Sequence, residues 1–338
     1  MIWTIYRQQN CDKEACPAGP EDRPDRGAAG PFQTIQEAID SVPSSRSGPV
    51  TIRVPAGVFH ERISITKPDI ILEGAGADKT VISGNLGAFE ILEDGLKRGT
   101  FRTQTVFVHA DNVTIRNLTI ENTAGPGRIA GQAIALYADG DRLTFKNLRL
   151  LGNQDTLFTG PLPEKEMEKG GFRGPLEFAP RIPGRHHYVN CYIEGNIDFI
   201  FGGAMAFFDY CEIFCRDPDP GSRENRTVSY ITAASTPEGQ KYGYVFRYCR
   251  LTSDAPPGSC YLGRPWREHA RTVFLCCEMG AHISPEGWHD WGKKSARDTV
   301  FYAEYNTGGP GAPENRRVPW SRILTEEEAS VFLAYVPF

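Results

Sequence analysis

Phe145-Lys146-Asn147-Leu148-Arg149-Leu150-Leu151-Gly152-Asn153-Gln154-Asp155 has a partner further along the chain, Tyr188-Val189-Asn190-Cys191-Tyr192-Ile193-Glu194-Gly195-Asn196-Ile197-Asp198. Both read as a strand, then an apolar residue, Gly-Asn-x-Asp. Strands that occupy the same place in successive turns of a repeating fold would stack the two aspartates, with backbones about 4.8 Å apart. Two carboxylates that close do not both ionise readily, so their pKa values separate, as acid and nucleophile roles require.

The repeat extends in both directions. Asn117-Leu118-Thr119-Ile120 and Asn147-Leu148-Arg149-Leu150 are followed by Asn190-Cys191-Tyr192-Ile193 and Tyr210-Cys211-Glu212-Ile213. Tyr248-Cys249-Arg250-Leu251 and Cys276-Cys277-Glu278-Met279 continue the series. The second position is always Leu or Cys and the fourth always apolar, the alternation of a strand with one face inward. The spacing between copies varies while the short core does not. That combination predicts a solenoid with its insertions on the outside, here an all-β, single-stranded, right-handed parallel β-helix. A sandwich of unrelated strands is the competing fold.

Composition agrees. One solenoid of 338 residues needs no second domain, because repeat folds grow by adding turns, and 35 Gly and 25 Pro suit many turns. Helical periodicity is confined to the ends. Phe32, Ile35, Ala38, Ile39 and Val42 form one face of a short helix stopping at Pro43, and Thr325-Glu326-Glu327-Glu328 is a capping box for a last helix carrying Val331, Phe332 and Tyr335. Both helices are expected to cover exposed ends of the solenoid.

The formal charge of −5 implies no particular partner, and no basic cluster with interleaved aromatics points to nucleic acid. No apolar run reaches transmembrane length. The first residues lack the features of a secretion leader, so a cytoplasmic protein is expected unless a leader has been removed. A monomer is expected. Of nine cysteines, Cys191, Cys211, Cys249 and Cys277 share one inward position and read as small core residues. Cys11 and Cys16 lie in a polar segment, 8–31, where a bridge is conceivable, yet the odd count favours a reducing compartment. No Cys/His set has metal-ligand spacing, His186-His187 reads as an adjacent pair in a loop, and neither metal nor cofactor is expected.

Four elements accompany the aspartates: Gln132 at the head of the apolar run to Leu136, Gln154 beside Asp155, Arg264 within Leu262-Gly263-Arg264-Pro265-Trp266, and the aromatic Gly287-Trp288-His289-Asp290-Trp291. Gly57-Val58-Phe59-His60-Glu61, Gln132 to Leu136, Gln154-Asp155-Thr156-Leu157, Asp198-Phe199-Ile200-Phe201-Gly202 and Leu262 to Trp266 resemble, in order, the five signature motifs of pectin methylesterases, taken here as the bacterial type. The resemblance runs from about Phe32 to Trp291. Phe59 and Phe158 stand where the family often has Tyr, and the segments 8–31 and 160–187 are longer than usual. They read as loop insertions in one domain spanning 1–338.

The resemblance implies a parallel β-helix that hydrolyses galacturonate methyl esters, releasing methanol. It assigns Asp198 as nucleophile, Asp155 as acid and then base, Gln132 and Gln154 as oxyanion donors, and Arg264 as the group holding Asp198 ionised. It places Phe201, Trp266, Trp288 and Phe158 on the sugar subsites and Gly57–Glu61 in a structural role. The implied partner is methyl-esterified homogalacturonan or its oligosaccharides. A polygalacturonase-like glycosidase is the alternative, since carboxylates about 5 Å apart suit a retaining enzyme, but two glutamines serving an oxyanion argue for ester chemistry. A pectin-binding solenoid without activity would have no use for the whole Asp-Asp-Arg-Gln set. The long segment from 160 leaves the chain beside Phe158 and is expected to wall one end of the cleft, favouring short substrates or chain ends.

Overall fold

The computed structural model describes residues 2–5, 32–220, 228–312 and 316–338. Cys11, Cys16 and the 8–31 insertion lie outside the described residues.

Three parallel sheets run the length of the chain, of 11, 7 and 8 strands among the described residues, and each regular turn adds one strand to each sheet. This is a parallel β-helix. The aligned quartets are in register to the residue, because Ile120 pairs with Leu150, Leu150 with Ile193, Ile193 with Ile213, Ile213 with Leu251 and Leu251 with Met279. Each quartet is a corner as well as a strand. The chain leaves the 11-stranded sheet, turns, and enters the 8-stranded one, and the turning residue is left-handed at Asn117, Asn147, Asn190, Tyr210, Tyr248 and Cys276, with φ between 52° and 58°. Asparagine tolerates that conformation and starts three of the six quartets, whereas a tyrosine there is unusual.

Side chains stack in columns because every turn repeats the last. Cys191, Cys211, Cys249 and Cys277 form one buried column, each thiol donating to a backbone carbonyl. Two residues before each corner, Phe145, Tyr188, Phe208, Phe246 and Phe274 stack with ring centroids 4.4–4.6 Å apart. His186 and His187 sit on the strand Arg185–Val189 rather than in a loop, so the long insertion ends at residue 184.

The N-terminal helix, Ile35–Ser41, opens on the Thr34–Glu37 capping box and buries Ile35, Ala38 and Ile39 in the interior. Glu61 accepts hydrogen bonds from the backbone N–H groups of Ile35 and Gln36, the favourable site for a carboxylate at a helix start. This is the structural role expected of Gly57–Glu61. The C-terminal helix, Glu326–Leu333, also has its expected capping box, Thr325 with Glu328. It does not cover the solenoid end. Its Ala329 and Phe332 lie on the outer face of the 11-stranded sheet, against Phe207, Val245, Val273 and Ala303, while Val331 is exposed. Those outward apolar residues give the helix an apolar face to bury against.

Arg247 fixes that helix. Its guanidinium makes two 2.6 Å bonds to Asp209 and donates to the carbonyls of Phe332, Leu333 and Tyr335, and His187 approaches Asp209 at 2.7 Å. Burial pushes the Asp209 carboxyl up, but the His187 and Arg247 hydrogen bonds and charges outweigh it and hold the carboxyl below its ordinary value. The sign follows. The ion pair stabilises the fold above the ordinary Asp range and is lost as pH falls through the lowered value. Arg247→Met leaves a buried carboxylate without its main partner, and a loss of about 3–5 kcal/mol is expected in urea unfolding at neutral pH. Faster amide exchange over 326–334 would place the damage at this contact.

Candidate active site

The 7-stranded sheet forms the floor of a cleft. Its outward column, in register, is Phe107, Tyr137, Phe158, Phe201, Ala233 and Arg264. Asp155 and Asp198 precede the strand positions of Phe158 and Phe201, and the Asp155 N–H donates to the Ile197 carbonyl at 3.0 Å, so the two aspartates occupy stacked positions in adjacent turns. Both are left-handed, with φ of 64° and 50°. Asp198 also lies within a register shift between Ile197 and Ile200, a bulge that re-aims a side chain out of the ladder. Non-glycine residues are held in such conformations only when the surroundings fix them, and functional sites are where they collect.

A cavity of about 380 Å³ takes in Gln132, Gln154, Asp155, Asp198 and Arg264 together. Arg264 Nε and Nη2 reach the two Asp198 oxygens at 2.8 and 2.6 Å, a fork-to-carboxylate pair. The guanidinium is sandwiched between Tyr230 and Trp291, 3.8 and 3.7 Å from the ring centroids. Lys293 donates to the carbonyls of Pro265 and Trp266 and so pins the segment after Arg264, and burial with the charge of Arg267 lowers its ammonium to about 8.

Electrostatics separate the two carboxyls. Burial raises both. At Asp198 the Arg264 hydrogen bonds and charge oppose that rise. At Asp155 the charge of Asp198 adds to burial and carries the carboxyl well above its ordinary value, with Arg264 only partly opposing. A proton shared by the pair is therefore favoured on Asp155, because Arg264 acts directly on Asp198.

The five expected catalytic residues are thus brought together, and so are Phe201 and Trp266, which line the cavity. Two expected subsite aromatics are elsewhere. Trp288 is 1% exposed, bridged to Gly263 and stacked 4.2 Å from Tyr302 inside the solenoid, and Trp291 takes the place in the cleft. Phe158 belongs to the outward column but is 0% exposed, because Phe101 lies over it with centroids 5.1 Å apart. Sequence reading missed Phe101, Tyr230 and Lys293, and within Gly287–Trp291 it chose Trp288 over Trp291. Met167, Glu168, Gly171 and Phe172 of the long insertion line the cavity.

The sequence model of the pectinesterase family matches residues 25–162 and 182–336, leaving most of the insertion unmatched. Among curated proteins, Pectinesterase 31 of Arabidopsis thaliana is 33% identical over 318 residues, 92% of this chain and 90% of the relative. Probable pectinesterase/pectinesterase inhibitor 64 of Arabidopsis thaliana is 35% identical over 89% of this chain, which spans only 48% of that longer protein. Both are plant proteins, so they lend no support to the bacterial type. A solved pectin methylesterase mutant in complex with a hexasaccharide superposes with a TM-score of 0.73 at 29% identity, covering 92% of this chain and 95% of that one. The match extends over the turns that carry the paired aspartates, Gln132, Gln154 and Arg264, and it makes this chain a member of the pectinesterase family.

Proposed function

We propose that the cleft hydrolyses the methyl esters of galacturonate units in pectin through an aspartyl acyl-enzyme. One observation carries the reading: an Arg264-bound carboxyl, Asp198, stacked beside a second, Asp155, that burial and the Asp198 charge hold well above its ordinary value, with two glutamines lining the same cavity. An Asp198 oxygen attacks the ester carbonyl carbon, forming a C–O bond and placing negative charge on the former carbonyl oxygen. Gln132 and Gln154 donate amide N–H bonds to that oxyanion, each worth about 2.7–4 kcal/mol by analogy with other oxyanion donors. As the oxyanion collapses, the methoxy group leaves with the Asp155 proton as methanol. Water then adds to the anhydride carbonyl while Asp155 takes its proton, and Asp198 departs as carboxylate.

A hexasaccharide complex of a structural relative supports a sugar-chain substrate. We further propose a cytoplasmic protein, on the ground that the described cysteines are all free thiols, six of the seven buried, and, separately, a monomer. Sedimentation velocity and cell fractionation test those two points. Activity is tested by incubating esterified pectin and short methylated oligogalacturonides and measuring methanol and new reducing ends in parallel. Methanol without reducing ends is expected. Reducing ends without methanol would identify a glycosidase, and neither product would indicate a binding protein.

A further inference from the structure

A groove along the outward column of the cleft floor should expose Phe107, Tyr137, Phe158 and Phe201 in turn. All four are buried. Two segments cover them, one from each edge of the floor. Phe101 comes from the connection between the 8-stranded and 7-stranded sheets, and its ring lies 5.1, 6.1 and 6.2 Å from those of Phe158, Tyr137 and Phe201. Phe172 and Leu176 come from the opposite edge, on the insertion that leads from the 7-stranded to the 11-stranded sheet.

The two segments meet above the floor. Phe172 lies edge-on to Phe101 at 5.9 Å and to Trp266 at 6.2 Å. Gly174 packs so close that a Cβ there would stand 2.5 Å from the Phe101 carbonyl oxygen. Arg267 donates to the Lys165 carbonyl at 2.8 Å and ties the insertion down on its own side, while Arg181 bonds to the carbonyls of Leu176, Glu177 and Ala179 within it. The bridge is therefore packed and hydrogen-bonded. Most of its insertion half, 163–181, falls in the stretch the family model does not match.

On this basis we propose that the cleft is blind on its Phe101–Phe172 side, so that the enzyme demethylates the terminal unit of a chain. The reacting galacturonate fills the closed end over Asp198, and the remaining units extend past Arg264 toward Trp291. A unit inside a long chain needs room on both sides and is excluded. This rests on the ester-hydrolase reading above and adds its substrate class: methyl-esterified oligogalacturonides, attacked at one end.

The test uses the full chain and a fully methyl-esterified hexagalacturonate, with the position of each lost methyl mapped by fragment mass spectrometry at low conversion. Loss confined to one terminal unit is expected, with terminal esters reacting about 10²-fold faster than internal ones, an ordinary ratio for selection by shape. Methyl loss spread evenly over internal units would overturn the proposal, and no methanol at all would instead overturn the reading beneath it. Replacing 163–181 by a short Gly-Ser bridge together with Phe101→Ala should bring internal units into the product map. A folded variant that still attacks only the end would also overturn the proposal. If that variant does not fold, the wild-type map alone decides.

Discussion

Asp198→Ala is expected to lower methanol release by about 10⁴-fold or more, because among the described residues no other carboxylate pairs with Arg264 to replace the lost nucleophile. The residual rate comes from binding and from the two glutamines. Asp198→Asn should be equally inactive while retaining the side-chain shape beside Arg264, and it serves as the control for misfolding. The wild-type pH profile belongs to the pair. Activity should fall on the acid side as Asp198 becomes protonated and on the alkaline side as Asp155 loses its proton. A rate for Asp198→Ala above about a tenth of wild type, far from the ~10²–10⁴ cost of losing a catalytic group, would remove Asp198 from the role.

Asp155→Asn should trade activity for stability. It cannot give up and recover a proton, so a loss of about 10²–10⁴-fold in kcat is expected, with substrate binding retained. The stability effect has a definite sign. Burial and the Asp198 charge raise the Asp155 carboxyl, so the folded chain holds a proton that the unfolded chain releases near the ordinary Asp value. Folding is therefore penalised increasingly as pH rises from that ordinary value toward the folded one. Asparagine carries no such penalty. The variant should match wild type in acid and be more stable at neutral pH, by about 1.4 kcal/mol for each pH unit above the ordinary Asp value over which the folded protein keeps the proton. Thermal unfolding at two pH values measures this, and equal melting temperatures for variant and wild type at both would mean that folding leaves the Asp155 carboxyl at its ordinary value.

Much of this site could be read in the chain because a solenoid turns sequence spacing into spatial stacking. Once the quartets at Asn147 and Asn190 are aligned, Asp155 and Asp198 must be neighbours, and the pairing of Leu150 with Ile193 bears that out. Arg264 was legible only through the Leu262–Trp266 motif, and its strand joins the same sheet two turns on. Contacts outside the repeat were not legible. Phe101 lies in a connection outside the repeated quartets, and nothing near it shows that its ring will fall across Phe158. The sequence Gly287–Trp291 offers two tryptophans three residues apart, and only the bridge from Trp288 to Gly263 decides which one turns inward. Tyr230 lies one turn before Arg264 and reads as an ordinary strand tyrosine until the guanidinium is found on its face. The last helix announced its start through Thr325 and Glu328, but the pattern of a helix does not say which surface it will seek. The outward Phe207, Val245 and Val273 decided that.

The central claim is that Asp198 attacks the ester and carries the acyl group. Its most direct test is rapid acid quenching of the enzyme during turnover of a methylated oligogalacturonide, followed by mass spectrometry of the peptides holding Asp155 and Asp198. The mechanism predicts a peptide containing Asp198 that carries the galacturonoyl chain, formed in step with a burst of methanol and absent from Asp198→Asn. Methanol released at the full rate with Asp198 unmodified throughout, or with the acyl group on Asp155, would contradict it.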